Sequence, residues 1–374
     1  MTTTLPPRQA PNTYDIAEKS RETMEALRAN IKIGFTTQLG PAWWADAVTK
    51  DGQWEIPDGS HFPEAVPLEV VTALLDVPFT KGDVHVTYTD EDGNKQVTGD
   101  PGTQPIVNLR TGKVYSYPKS GYQIHPYIET LSDFIQAIQY DQAVAVGSVG
   151  LLKDGGQAFL QAVLPETITV EGYGYQPYLL GATSVDLSRA TSYSTGAIGA
   201  VCDNTTTRAL SEALTQFKIR HTSNSRASVA AVRGKLGLQL HEVGEQIGEA
   251  ISDLCKVDVS DADFALWLDE IQPRVKPDPQ SSTGGPAYTN AEAKRAEYTR
   301  LWTSDPKVKP WAGTAFGIYQ LDNTYRTWNG KVTGSGRIEQ NYRRLVAGDT
   351  ARADASALAT LAKVQERKLT VPVG

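Results

Sequence analysis

Val144-Ala145-Val146-Gly147-Ser148-Val149-Gly150-Leu151-Leu152, then Asp154-Gly155-Gly156, then Gln157-Ala158-Phe159-Leu160-Gln161-Ala162-Val163-Leu164 is the stretch that decides the class of fold. Both apolar runs have the length of a strand and carry no charge, and the Asp-Gly-Gly between them leaves room for a turn only. Strands joined so closely pair antiparallel, because a parallel pair needs a crossover of a dozen or more residues. The same reading extends the sheet: strands are expected over 143–152, 157–164, 178–183 and 190–201, with Gly172-Tyr173-Gly174 as a further break.

Upstream, Ile128, Leu131, Ile135 and Ile138 recur at the spacing of one helix face. Before them lies a turn-rich region with one clear hairpin signal, Val84-His85-Val86-Thr87-Tyr88, a turn at Asp92-Gly93, and a return through Gln96-Val97-Thr98. Residues 14–30 carry a weak helical stripe behind a Thr/Pro-rich arm. Residues 1–110 sum to −7, which disfavours contact with a polyanion there.

Downstream, Cys202-Asp203-Asn204-Thr205 reads as a strand end followed by a helix cap, with Cys202 as a small buried residue and Asn204 or Thr205 accepting a backbone N–H. Ala209, Leu210, Ala213, Leu214 and Phe217 would then be the buried stripe of a helix over 205–217. From Val229 the apolar positions Val232, Leu236, Leu240, Val243, Ile247, Ala250 and Leu254 form a near-heptad seam, expected to pack along another helix or another subunit. Gly234, Gly237, Gly244 and Gly248 weaken that helix and so imply close backbone approach on one side. A Pro/Ser/Gly-rich stretch over 273–287 reads as a linker, and the remainder as helical.

The fold expected is α+β: a twisted antiparallel sheet with packed helices, a long central helix and a C-terminal helical region. The expected divisions are 1–30 (arm and helix), 31–120 (irregular and β-rich), 121–272 (α+β core), 273–287 (linker) and 288–374 (helical).

Charge is the functional signal. Between Thr205 and Leu240 the basic residues Arg208, Lys218, Arg220, Arg226, Arg233 and Lys235 face the single acid Glu212, a local +5 in a chain of net charge −7. Lys218, Arg220 and Thr222 alternate with Ile219 and His221, so an extended conformation puts two cations and a hydroxyl on one face, a geometry that tracks a phosphate backbone. Asn224 adds a donor. Tyr173, Tyr175, Tyr178 and Tyr193 either stack bases beside this segment or fill the core. Arg337, Arg343 and Arg344, on a basic helix with Tyr342, Leu345 and Val346 as its apolar side, form a secondary basic surface.

Other chemistry is sought without result. No Gly-x4-Gly-Lys-Ser/Thr loop occurs, no histidine pair has metal-ligand spacing, and Gly334-Ser335-Gly336 lacks the third glycine of a dinucleotide fingerprint. Asp258, Asp261 and Asp263 fit a helix start better than a metal loop. With no nucleotide, metal or nucleophile motif the reading leans away from an enzyme without deciding the point, and expects no cofactor and no metal. No apolar run approaches the roughly 20 residues of a membrane span. Two cysteines 53 residues apart fit reduced thiols, and the N-terminus has no signal-like apolar segment; a cytoplasmic location follows as an expectation.

Gly121-Tyr122-Gln123-Ile124 leading into the helix from Leu131, Cys-x-Asn-Thr at 202–205, Ile-Arg-His-Thr at 219–222, and Gly313-Thr314-Ala315-Phe316-Gly317 before a helical tail appear in an order that resembles the phage/plasmid-like family built on domain of unknown function 932. The likeness covers roughly residues 110–365. Two departures stand out: Gln38-Leu39-Gly40-Pro41-Ala42-Trp43-Trp44 replaces an N-terminal Trp-His-Gly-Leu-Gly, and Gln320-Leu321-Asp322-Asn323 replaces an Asn-Ala. The resemblance implies mobile-element biology in a bacterial host cell, and by analogy of fold a Rad52-like single-strand annealing core. The expected function is therefore ATP-independent single-stranded DNA binding and annealing by a homo-oligomer. The alternatives are a module that binds a phage or host protein to counter or regulate a host system, and a virion assembly component.

Overall fold

The computed structural model describes residues 30–35, 47–48, 54–55, 60–131, 144–199, 205–206, 216–219, 240–332 and 336–366. Of the expected N-terminal helix, residues 14–29 lie outside these. β1 (Ile31–Ile33) belongs to the main sheet, while β2 (Ala47–Val48) and β3 (Trp54–Glu55) form a two-stranded sheet. Helix α1 (Leu68–Leu75) is followed by β4 (Phe79–Lys81), the hairpin β5 (His85–Thr89) and β6 (Lys95–Gly99), and then β7 (Ile106–Asn108) and β8 (Val114–Ser116), which join β4 in a three-stranded sheet. The hairpin falls where the Asp-Gly signal puts it, with Gly93 at φ 82° in its turn.

The main sheet is antiparallel: β9 (Ala145–Leu152), β10 (Gln157–Val163), β11 (Ile168–Val170), β12 (Tyr173–Ser184), β13 (Thr191–Gly199), β14 (Thr205–Thr206) and β15 (Gln216–Ile219). Its order is β1-β9-β10-β12-β13-β14, with β11 beside the start of β12 and β15 on β13. Gly172 (φ 74°), read as part of a break, is the turn between β11 and β12, and Tyr173 and Gly174 already belong to β12.

Both faces of this sheet are covered, which is why its strands read as continuous rather than alternating apolar runs. Leu160, Leu179 and Tyr193 share one face and pack with Val71 and Leu75 of α1, Ile106, Tyr127 and Leu131. Phe159, Leu180 and Tyr178 share the other and meet Trp328, Tyr342, Leu345 and Val346. Phe159 lies opposite Gly150 in register, where an added Cβ would come within 2.6 Å of its ring, and it stacks on Tyr342 at 4.6 Å between centroids.

The helices are α2 (Leu240–Cys255), α3 (Asp261–Ile271), α4 (Gly285–Ser304), α5 (Ala315–Thr324), α6 (Gly336–Ala347) and α7 (Asp349–Val364), with a 3-10 turn at Lys309–Trp311 and a π-helical turn at Tyr325–Asn329. The expected seam is present in α2 from Leu240, but it is covered within the chain. Val243, Ile247 and Ile251 pack on Tyr173, Tyr175, Phe316 and Leu358. Gly244 and Gly248 do the work their spacing implies: added Cβ atoms would lie 2.8 Å from Ile168 and 2.7 Å from the Tyr175 hydroxyl. Over these residues the seam gives no reason to expect a second subunit. The part before Leu240, with Gly234 and Gly237, lies outside the described residues.

Of the expected linker, 285–287 already belong to α4, and the rest joins two helices that share one core, since Phe264 of α3 stacks on Trp302 of α4 at 4.9 Å. The Asp258–Asp263 cluster is a helix start, with Ser260 and Asp263 forming a reciprocal capping box. The Gly313–Gly317 motif has a structural basis too. Thr314 Oγ1 accepts from the Gly317 N–H at 3.1 Å, and a Cβ on Gly317 would stand 2.1 Å from the Trp311 carbonyl oxygen, so only glycine fits. Every residue of α5 is buried, polar ones included. Asp354 of α7 accepts from Tyr319 (3.2 Å), Asn323 (3.3 Å) and Arg326, while Asp322 accepts from Tyr298 (2.9 Å) and Arg326 (2.8 Å). Burial opposes the Arg326 charge, but Asp354 and Asp322 outweigh it and hold the guanidinium ionised.

Candidate nucleic-acid interface

The basic segment enters the fold as the last strand of the main sheet. β14 pairs antiparallel with the end of β13 (Thr205↔Ile198, Thr206↔Ala197), and β15 pairs with its beginning (Gln216↔Ser194, Phe217↔Tyr193, Lys218↔Ser192, Ile219↔Thr191). The chain thus lies along β13 at Thr205–Thr206 and again at Gln216–Ile219, and residues 207–215 lie outside the described residues. The helix expected over 205–217 is corrected at both ends, and Thr205 is a strand residue and not a helix cap. The competing influence is the ladder offered by β13, whose backbone groups need partners. Among the described residues no further strand pairs with β14 or β15.

Lys218 is therefore extended, as the alternation at 218–222 anticipates, and stands opposite Ser192. Arg208, Arg220, His221, Thr222, Asn224 and Arg226 lie outside the described residues, as do Cys202 and Asn204.

Beside position 218 the structure brings a cation that the sequence reading missed. Arg189, in the β12–β13 connection, donates to Ser192 Oγ at 2.8 Å and to the Val346 carbonyl at the end of α6. Burial pulls its guanidinium down to about 10, against the Asp186 charge that raises it. Its Nε has no hydrogen-bond partner among the described residues. The sequence does carry a trace of it, since Arg189 is the one basic residue between Lys153 and Arg208.

The tyrosines belong to the core, which excludes the base-stacking alternative for them. Tyr173, Tyr175, Tyr178 and Tyr193 are all buried. Tyr175 donates to the Gly244 carbonyl at 2.7 Å and Tyr193 to the Thr130 carbonyl at 2.8 Å. Each thus solves the problem of a buried hydroxyl inside the protein.

The three arginines of the secondary basic surface lie on α6. Arg337 donates to the carbonyls of Thr327 (3.1 Å) and Gly330 (2.8 Å), and Arg344 to that of Arg326 (3.2 Å). These carbonyls end the α5–π-helical run, where the ladder leaves acceptors unfilled and a cation is favoured. Arg343 is half-exposed, 3.7 Å from the buried Glu339. Two of the three arginines are thus occupied by backbone.

Among the described residues no cluster of three metal-ligating side chains occurs, and no helix is long and apolar enough to cross a membrane. His125, buried, is engaged through Nδ1 with Thr191 Oγ1 at 2.8 Å. Cys255 is a free thiol whose pKa burial, then Glu171, pushes up to about 11, the opposite of an activated nucleophile.

Residues 114–356 match the family described as Domain of unknown function (DUF932), and the chain belongs to that family. No curated protein and no solved structure matches it.

Proposed function

We propose that the protein is an ATP-independent single-stranded DNA binding and annealing protein of phage or plasmid DNA metabolism, acting in the cytoplasm of a bacterial host. One observation carries this reading. Lys218 lies in an extended edge strand, β15, within a segment whose local charge is +5 in a chain of −7. An edge strand leaves one side of its backbone open, and a run of cations on it follows the repeat of a sugar–phosphate chain. Arg189 beside Ser192 adds positive charge at the same place.

With the four tyrosines enclosed in the core, the affinity rests on phosphates and little on stacking. Binding should then be indifferent to sequence and steep in salt. Three neutralised phosphates give a slope of log K on log salt near −2, from about −0.7 each on a single strand. The test is a gel shift with labelled single strands at low salt. The triple variant Lys218→Gln, Arg220→Gln, Arg226→Gln should flatten the slope and weaken binding for all sequences alike. Absence of binding by the unmodified protein at low salt ends this reading and leaves the protein-partner alternative.

A further inference from the structure

Among the described residues the hairpin β5–β6 stands apart from the other sheets. All ten of its strand residues are exposed, those of both faces, and it forms a two-stranded sheet of its own. Exposed Val86 (47 %), Tyr88 (51 %) and Val97 (66 %) give it apolar surface that no described residue covers. Two strands alone are marginal in water; a third or a fourth is what such a ribbon lacks.

Its hydrogen-bond phase is set by the Asp90 N–H donating to the Asn94 carbonyl and the Asp100 N–H to the Val84 carbonyl. Even-numbered residues of β5 therefore bond inward to β6, and His85, Thr87 and Thr89 turn their N–H and C=O groups outward. Among the described residues no backbone group meets them. β5 contains no acidic or basic residue other than His85, whereas β6 opens with Lys95, the residue type that guards an edge against pairing.

We infer that the outer edge of β5 is a self-association surface whose partner is β5 of a second copy, antiparallel about a two-fold axis at Thr87. The register is self-complementary. Thr87 meets Thr87 and His85 meets Thr89 in hydrogen-bonded positions, while Val86 meets Tyr88 in the closer non-hydrogen-bonded ones. This yields a four-stranded sheet with Val86 and Tyr88 of both copies in a central apolar band. The same register sets Asp83 across from Glu91, a like-charge contact at either end. Salt therefore strengthens this association, the reverse of its effect on phosphate binding, so the two proposals fail separately.

Sedimentation equilibrium of the full chain, across protein concentration at low and high salt, reads the association. Thr87→Pro removes an N–H that the hairpin itself does not use, so the monomer stays folded while dimerisation drops about tenfold or more. Val97→Pro at the equivalent outward position of β6 should leave it unchanged. Thr87→Cys should form an intermolecular disulfide on mild oxidation well ahead of Val97→Cys. A monomer at all concentrations in high salt overturns the inference, and so does a dimer lost with Val97→Pro but retained with Thr87→Pro.

Discussion

The β12–β13 pair and the β5–β6 hairpin obey the same local rules and meet opposite fates. Both are antiparallel ribbons of β-branched, aromatic and small residues. Yet every residue of β12 is buried, and every residue of β5 and β6 is exposed. The difference is not in the strands. β12 has α2 over Tyr175, Trp328 and α6 over its other face, and a neighbour on each side. Among the described residues β5–β6 has none of these. Local pattern makes a ribbon; cover makes a core.

The contrast can be broken most directly by truncation. Leu180→Ala in β12 should cost about 2–5 kcal/mol, because a hole between two covered faces cannot collapse, read as a fall in the urea midpoint with an unchanged m-value. A cost below about 1 kcal/mol would mean that the cover over this face is loose.

The closeness of that cover is tested by Gly248→Ala. The new methyl would stand 2.7 Å from the Tyr175 hydroxyl, whose hydrogen bond to the Gly244 carbonyl fixes α2 on the sheet. The expected loss is about 1–3 kcal/mol. Helix propensity alone predicts a gain of up to about 1 kcal/mol, so the sign of the change in melting temperature decides.

Alkaline pH acts on the same tyrosines. Burial pushes Tyr175 up to about 12 and raises Tyr178, Tyr122, Tyr127 and Tyr298 as well. An unfolded tyrosine ionises near 10. Between that value and the folded one the unfolded state holds fewer protons, so stability present below about pH 10 is lost as pH rises. Each such group contributes a slope of up to about 1.4 kcal/mol per pH unit. Denaturant midpoints on either side of pH 10, with tyrosinate absorbance as a second reading, check this; Tyr175→Phe should reduce the slope.

The smallest effect belongs to the hairpin. Val97→Ala should change stability by no more than about 0.5 kcal/mol, as for an ordinary surface position, measured by the same urea midpoint.

Much of this architecture is legible in the residues. The runs at 143–152 and 157–164, the Asp-Gly hairpin turn, the α2 seam from Leu240 and its glycines, and the capping cluster at Ser260–Asp263 each carry a local signal that tertiary contacts then reinforce. Thr205–Phe217 went the other way. A cap-and-helix pattern there lost at both ends to the open edge of β13, because a ladder partner is a non-local fact that no window of sequence contains.

The candidate site divides in the same manner. Charge is additive along a chain, so the +5 segment and the extended conformation at Lys218 could be read from composition and alternation. Which polar side chains face solvent could not. Arg337 and Arg344 look like Arg343 in sequence, yet they end on backbone carbonyls contributed by residues that another helix leaves unpaired. Tyr175 and Tyr193 look like stacking platforms, yet their hydroxyls close against Gly244 and Thr130. Arg189 looked like nothing until Ser192 and the end of α6 were brought to it. Elements whose causes lie within a few residues of one another are determined by the sequence itself; the tertiary structure alone decided their cover, because burial and hydrogen-bond satisfaction depend on groups that only folding brings together.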